Sequence, residues 1–161
     1  MADLVGDQNS TKEILSATEY SGPELFFGLI GAVGTDLKSV EAILVRELQA
    51  VGYLPHEIRA SALLKECAKY SDLSKSDSDP EHLRIRAYMD AGDDFRGVSK
   101  RGDAVALLAI GRVRDLRQEL TEDDASKPVP GQAYLFNSLK HPQEVDTLRK
   151  IWVGIFCDLS L

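Results

Sequence analysis

The segment Gly28-Leu29-Ile30-Gly31-Ala32-Val33-Gly34-Thr35-Asp36-Leu37 has residue types and spacing suited to holding an anion. An apolar run, Glu24 to Ile30, ends in a Gly-rich turn, and an amphipathic stretch follows at once. A buried strand that enters a tight turn and then a helix presents free helix N–H groups to a phosphate. Phosphoryl transfer also needs a Lys to draw on the γ-phosphate and a Ser or Thr to hold Mg²⁺. In the Walker A spacing G-x-x-x-x-G-K-[ST], counted from Gly31, the second Gly falls on Asp36, the Lys on Leu37 and the Ser/Thr on Lys38. The loop therefore has the outline of a phosphate site without its chemical groups.

Gly31, Gly34, Thr35 and Asp36 are the candidate cofactor-binding residues of this degenerate loop. Gly31 and Gly34 are expected to serve backbone conformation, because a turn that reverses sharply into a helix leaves little room for a side chain. Asp36 is expected to cap the helix that follows. A carboxylate there opposes a phosphate by roughly 1–4 kcal/mol at about 4 Å, depending on the effective dielectric.

Three more residues complete the candidate binding set. Arg96 follows an acidic pair on a predicted helix; it is either a surface charge or an anion contact, since guanidinium matches phosphate oxygens bidentately. Ser138 and Lys140 follow an apolar run, where a parallel sheet places its ligands. Ser138 is a poor replacement for a Mg²⁺-anchoring carboxylate, and His141 beside it reads as a loop cap. No residue is assigned a catalytic or metal-binding role.

These groups need a scaffold, and the pattern predicts one. Strands are expected at Glu24–Ile30, His56–Ala60, Gln132–Asn137 and Trp152–Leu159. The helix from Asp36 carries Leu37, Val40, Ile43, Leu44, Leu48 and Val51 at helical spacing and stops at Gly52. Further helices are expected over Ser61–Tyr70, Glu81–Phe95 and Asp103–Leu120, and after Pro142, with Val145, Leu148 and Ile151 inward. Ser71–Pro80 and Thr121–Gly131 read as polar loops. Arg112, Arg114 and Arg117 read as part of a mostly exposed mixed face, and Tyr134, Phe136 and Trp152 as core aromatics. The alternation predicts an α/β fold, a parallel sheet with helices on both faces and the first strand central. The chain stops on an apolar strand. It is therefore expected to be incomplete at the C-terminal end, or to self-associate through Val153–Leu161.

The chain has 161 residues, 43% hydrophobic and 28% charged, which suits one soluble domain with a core. Its net charge of -7 argues against non-specific nucleic-acid binding, which needs a cationic surplus. No apolar stretch is long enough to span a membrane. Residues 1–20 read as a flexible, polar arm without signal-peptide character, and residues 21–161 as the domain; a cytoplasmic protein is expected. Cys67 and Cys157 fit no zinc motif and are expected to be buried, reduced thiols.

Three blocks, Gly28–Asp36, Tyr88–Arg96 and Asn137–Val145, resemble P-loop deoxynucleoside monophosphate kinases. In the third, the kinase's strand-end Asp falls on Ser138 and its Arg on Lys140. A closer resemblance runs through GLIGAVGTDL (28–37), AYMDAGDDFRG (87–97), DAVALLAI (103–110) and SLKHPQEVDTLRKIW (138–152). These are similar to the N-terminal P-loop kinase-like domain of anti-phage dCTP (deoxycytidylate) deaminases. That resemblance implies a regulatory or sensor module preceding a zinc deaminase domain, with the deaminase domain or another chain as partner. It implies no cofactor with certainty, at most a weakly bound nucleotide such as ATP or a deoxynucleotide. The H-x-E and P-C-x-x-C signatures of the zinc deaminase are absent from the sequence, so this chain cannot deaminate by that chemistry. The alternative is an atypical nucleotide or nucleoside monophosphate kinase, or a nucleotide-binding protein, with its Lys supplied by Lys38 or Lys140. An oligomerisation scaffold is a third reading.

Overall fold

The computed structural model describes residues 22–32, 34–121, 124–137, 139–153 and 156–160, with the backbone alone at 74–76 and 158–160. The arm expected at residues 1–20 lies outside the described residues. Four strands, β1 (Leu25–Ile30), β2 (Leu54–Arg59), β3 (Gln132–Asn137) and β4 (Phe156–Ser160), form one sheet in the order β2-β3-β1-β4. Every pairing is parallel: Phe26 lies opposite Tyr134 on one side and Phe156 on the other. The expected parallel α/β architecture with β1 inside the sheet is present.

Alternation along the strands divides the core. Phe26, Tyr134 and Phe136 face α4 (Ala104–Thr121) and α5 (Pro142–Ile151), packing with Ala109, Val113 and Leu148. Leu25, Phe27, Ala133 and Leu135 face the other way, onto Leu44, Val45 and Leu48 of α1 (Leu37–Ala50). Helices thus cover both faces. α1 ends at Ala50 with Val51 as its C-cap, and Gly52 follows with φ +85°, the left-handed turn that a Gly after a helix supplies.

Several boundaries differ from expectation. β2 starts at Leu54 and ends at Arg59, and α2 (Ala60–Glu66) stops at Cys67, short of the helix end predicted at Tyr70. The segment read as a polar loop is in part a 3-10 helix, Ala68–Ser78. Two Tyr–Asp–Lys groups hold it against α3 (Glu81–Ser99). The Tyr88 hydroxyl and Lys65 both donate to Asp77, and the Tyr70 hydroxyl and Lys69 both donate to Asp94. Trp152 does not open the last strand. It caps α5 and stacks on Phe26 at 4.1 Å and on Phe136 at 5.3 Å, so its apolar surface serves the core. Tyr134 and Phe136 are core residues as expected. Cys67 and Cys157 are free thiols, but neither is buried: Cys67 is half-buried and Cys157 exposed, because its strand is the sheet edge.

Arg117 also departs from the exposed face expected of it. It is buried on α4 and donates through Nε (3.0 Å) and Nη2 (2.5 Å) to Glu24, itself 2% exposed. Glu24 accepts further from Val129 N and the Tyr134 hydroxyl, which satisfies the carboxylate. Burial, with Glu24 beside it, pushes the Tyr134 phenol up.

Asp103 joins the loop before α4 to α5. Arg101 and the Thr147 hydroxyl hold its carboxyl down to about 2. A depressed carboxylate stabilises the fold above its unfolded pKa, near 3.9, and that contribution is lost as pH falls towards 2. Acid unfolding of Thr147→Val should therefore show a shallower loss of stability between about pH 4 and 2 than the parent. Identical pH slopes would remove Asp103 from the acid response.

Candidate functional site

The crossovers set the location of the site. The β1-α1-β2 unit runs towards one sheet edge, and β3-α5-β4 runs towards the other. β1 and β3 are neighbours, so a crevice opens between their carboxyl ends, the place where open α/β sheets bind ligands. A cleft of about 540 Å³ lies there, within the ordinary range for small-molecule sites. Its walls come from the loop after β1 (Ala32, Gly34, Thr35), the start of α2 (Ala60, Ser61, Leu64), α3 (Glu81 to Arg96) and the loop after β3 (Lys140, His141). Leu64, Ile85, Met89 and Val105 give it an apolar side, and Tyr88 contributes an aromatic ring.

Of the expected set, Gly34, Thr35, Arg96 and Lys140 line this cleft, which brings together residues far apart in sequence. Asp36 stands beside it, while Ser138 lies outside the described residues. Two amides of the loop, among its described residues, are turned onto the loop's own carbonyls. Thr35 N donates to Ala32 O at 3.0 Å, and Leu37 N to Thr35 O at 2.8 Å. Asp36 is the N-cap of α1: it accepts from Ser39 N at 3.1 Å and from the Ser39 hydroxyl at 2.5 Å. Both bonds hold the Asp36 carboxyl below its usual value, so it is an anion at neutral pH. Four donors near an incoming phosphate, three amides and the Ser39 hydroxyl, are thus already engaged, and a negative charge stands at the helix end.

The two glycines turn out to act differently. Gly34 has φ +97°, with open space where a side chain would go. Gly31 lacks a positive φ, but a Cβ there would come within 3.0 Å of Thr35 Cβ and Leu37 Cδ2. The clash expected at both glycines is found only at Gly31. Gly34→Val should cost about 1–3 kcal/mol through backbone strain alone. Denaturant unfolding without any nucleotide tests this; an unchanged midpoint would show that the turn tolerates a side chain.

The strongest polar feature was not visible as a site in the sequence. Glu144 of α5 is 0% exposed. Its Oε1 accepts from Arg96 Nε at 3.1 Å and its Oε2 from the backbone N–H groups of Lys140 (2.9 Å) and His141 (3.1 Å). Arg96 is accordingly no surface charge: its side chain is 13% exposed, and Nη1 also contacts Asp93 at 3.0 Å. His141, expected as a loop cap, is the N-cap of α5, with Nδ1 accepting from Gln143 N, which leaves a neutral ring its proton on Nε2. Pro142 at the first position of α5 followed by Glu144 at the third is a capping signature that could have located the carboxylate. Among the described residues, the Lys140 amine has no hydrogen-bond or ion-pair partner, and that residue is exposed at the cleft.

On the α1 side of the strand ends, Glu41 is buried. Its Oε2 accepts from Arg59 and Asn137, both at 3.2 Å, tying α1 to β2 and β3. No group of three or more His, Cys, Asp or Glu suited to a metal occurs among the described residues, and no described helix is long and apolar enough to cross a membrane. No protein-family model, curated protein or solved structure matches the chain.

Proposed function

We propose that this chain is a kinase-like regulatory or sensor module of an anti-phage dCTP deaminase, one that holds a nucleotide in the cleft without transferring its phosphate. The observation that carries the reading is the state of the turn after β1. It stands at the switch point of a parallel sheet, where a nucleotide kinase works, yet the Thr35 and Leu37 amides donate within the loop and Asp36 caps the helix. Electrostatic stabilisation of the transferring phosphoryl group, the main source of catalysis in such enzymes, has no Lys or Mg²⁺ ligand to supply it there. The half-apolar cleft with Tyr88 supports a base-bearing ligand.

Calorimetric titration with dCTP, dCMP and ATP, followed by a product assay with ATP and dCMP, dTMP or AMP, tests the proposal. Binding without phosphorylated product is expected. Failure of every nucleotide to bind overturns the nucleotide cleft. The enzyme reading has one observation in its favour, the Lys140 amine at the cleft, without a partner among the described residues. Turnover that survives Asp36→Ala and vanishes in Lys140→Ala would establish it.

The same proposal includes a partner at β4, either the remainder of a longer protein or a second copy. Among the described residues β4 ends the sheet on one side and carries a single charge, Asp158, and no Pro, whereas β2, the other edge, carries Pro55, Glu57 and Arg59. Charges and Pro are what guard an edge strand from pairing.

A further inference from the structure

We infer that Asp93 is a placeholder for the anionic group of the cleft's ligand: it occupies the open edge of a fixed guanidinium, Arg96, and leaves when a phosphate monoester arrives. The inference rests on the nucleotide reading above and assigns phosphate recognition to side chains rather than to the glycine turn.

The two sides of Arg96 are unlike. On one side stands Glu144, fully buried, which also accepts two backbone N–H groups and so cannot follow the guanidinium out. On the other, Nη1 meets Asp93, one helical turn earlier and 79% exposed. A buried pair broken on one side is costly, whereas an exposed pair contributes little and exchanges readily. The planar fork is therefore held in the wall of the cleft by Glu144, while its remaining edge is covered by a carboxylate that solvent already reaches. Arg96, Asp93 and Lys140 all line the cleft. Gly92 makes the arrangement fit, since a Cβ there would stand 3.1 Å from Arg96 Nη1. A phosphate replacing Asp93 would gain together the Nη1 edge of Arg96 and the Lys140 amine, which has no partner among the described residues, a charge-assisted site of the kind Arg favours.

The test compares dCMP with deoxycytidine, which lacks the phosphate, on the parent, Asp93→Asn and Lys140→Gln. Asp93→Asn removes a competing carboxylate and a repulsive charge, so dCMP should bind about five- to tenfold more tightly. Deoxycytidine should be unaffected by either substitution. Lys140→Gln should weaken dCMP alone. Both substituted side chains are largely solvent-facing, so folding should be preserved; circular dichroism verifies it. If the parent binds dCMP and Asp93→Asn leaves that affinity unchanged or lowers it, the placeholder idea is wrong while the nucleotide cleft stands. Equal gains for nucleoside and nucleotide would equally reject it. If neither ligand binds to any of the three proteins, the nucleotide cleft and the placeholder fall together.

Discussion

Glu144→Ala is expected to cost about 3–5 kcal/mol of stability, enough to unfold much of a typical domain population at physiological temperature. The carboxylate is fully buried and serves three donors, so its removal strands the Arg96 guanidinium and two backbone N–H groups. Each buried donor left without a partner adds about 1–3 kcal/mol of desolvation. Glu144→Gln should be intermediate, because an amide oxygen can still accept but carries no charge against Arg96. Urea unfolding monitored through the single Trp, Trp152, which lies against the same core, reads both changes. A loss for Glu144→Ala below about 1 kcal/mol would mean that water reaches the vacated position and that the pair is ordinary.

Arg117→Ala is the second large effect, again about 3–5 kcal/mol. It leaves Glu24 buried and charged just before β1, with Val129 N and the Tyr134 hydroxyl as its remaining donors among the described residues. Pairing Arg117→Met with Glu24→Gln should recover part of the loss, since neither charge is then buried and an amide oxygen can keep those two donors. Four unfolding curves, parent, both single variants and the double, give the coupling directly. Additive losses would place the two residues in separate environments, against the hydrogen bonds between them.

The two carboxylates mark the limit of what periodicity reveals. β1 and β3 were legible because continuous apolar runs such as Ala133-Tyr134-Leu135-Phe136 suit a strand covered on both faces. α1 was legible because its apolar stripe begins at a capping Asp and ends before a Gly. Arg117 looked like its neighbours Arg112 and Arg114, since burial beside Glu24 depends on a contact 93 positions away. The 3-10 helix at Ala68–Ser78 was hidden by its polar composition; its order comes from Asp77 bonding to Lys65 and Tyr88 on other elements. Trp152 was assigned to a strand because apolar neighbours follow it, although a large ring can equally close a core from a helix end. Within the cleft, the glycine turn and Lys140 could be placed in advance. The anchoring of Arg96 could not, because its partner lies 48 residues downstream.

The register of β1 carries a consequence for how the chain reaches its native state. β1 is made first, but both strands that pair with it, β3 and β4, follow more than a hundred residues later. At ribosomal rates of about 5–20 residues per second, Phe26 and Leu29 wait several seconds or more for their sheet neighbours. Through that interval α1 can pack on β1, but β2 lacks β3, the strand it pairs with, so the early half of the chain emerges without a sheet. Such non-local topology slows folding and leaves an apolar strand available to the wrong chain. Nascent-chain arrest should accordingly find no protease-resistant core until β3 has cleared the exit tunnel, and biosynthesis at high expression should depend on chaperone capacity more than the native stability would suggest.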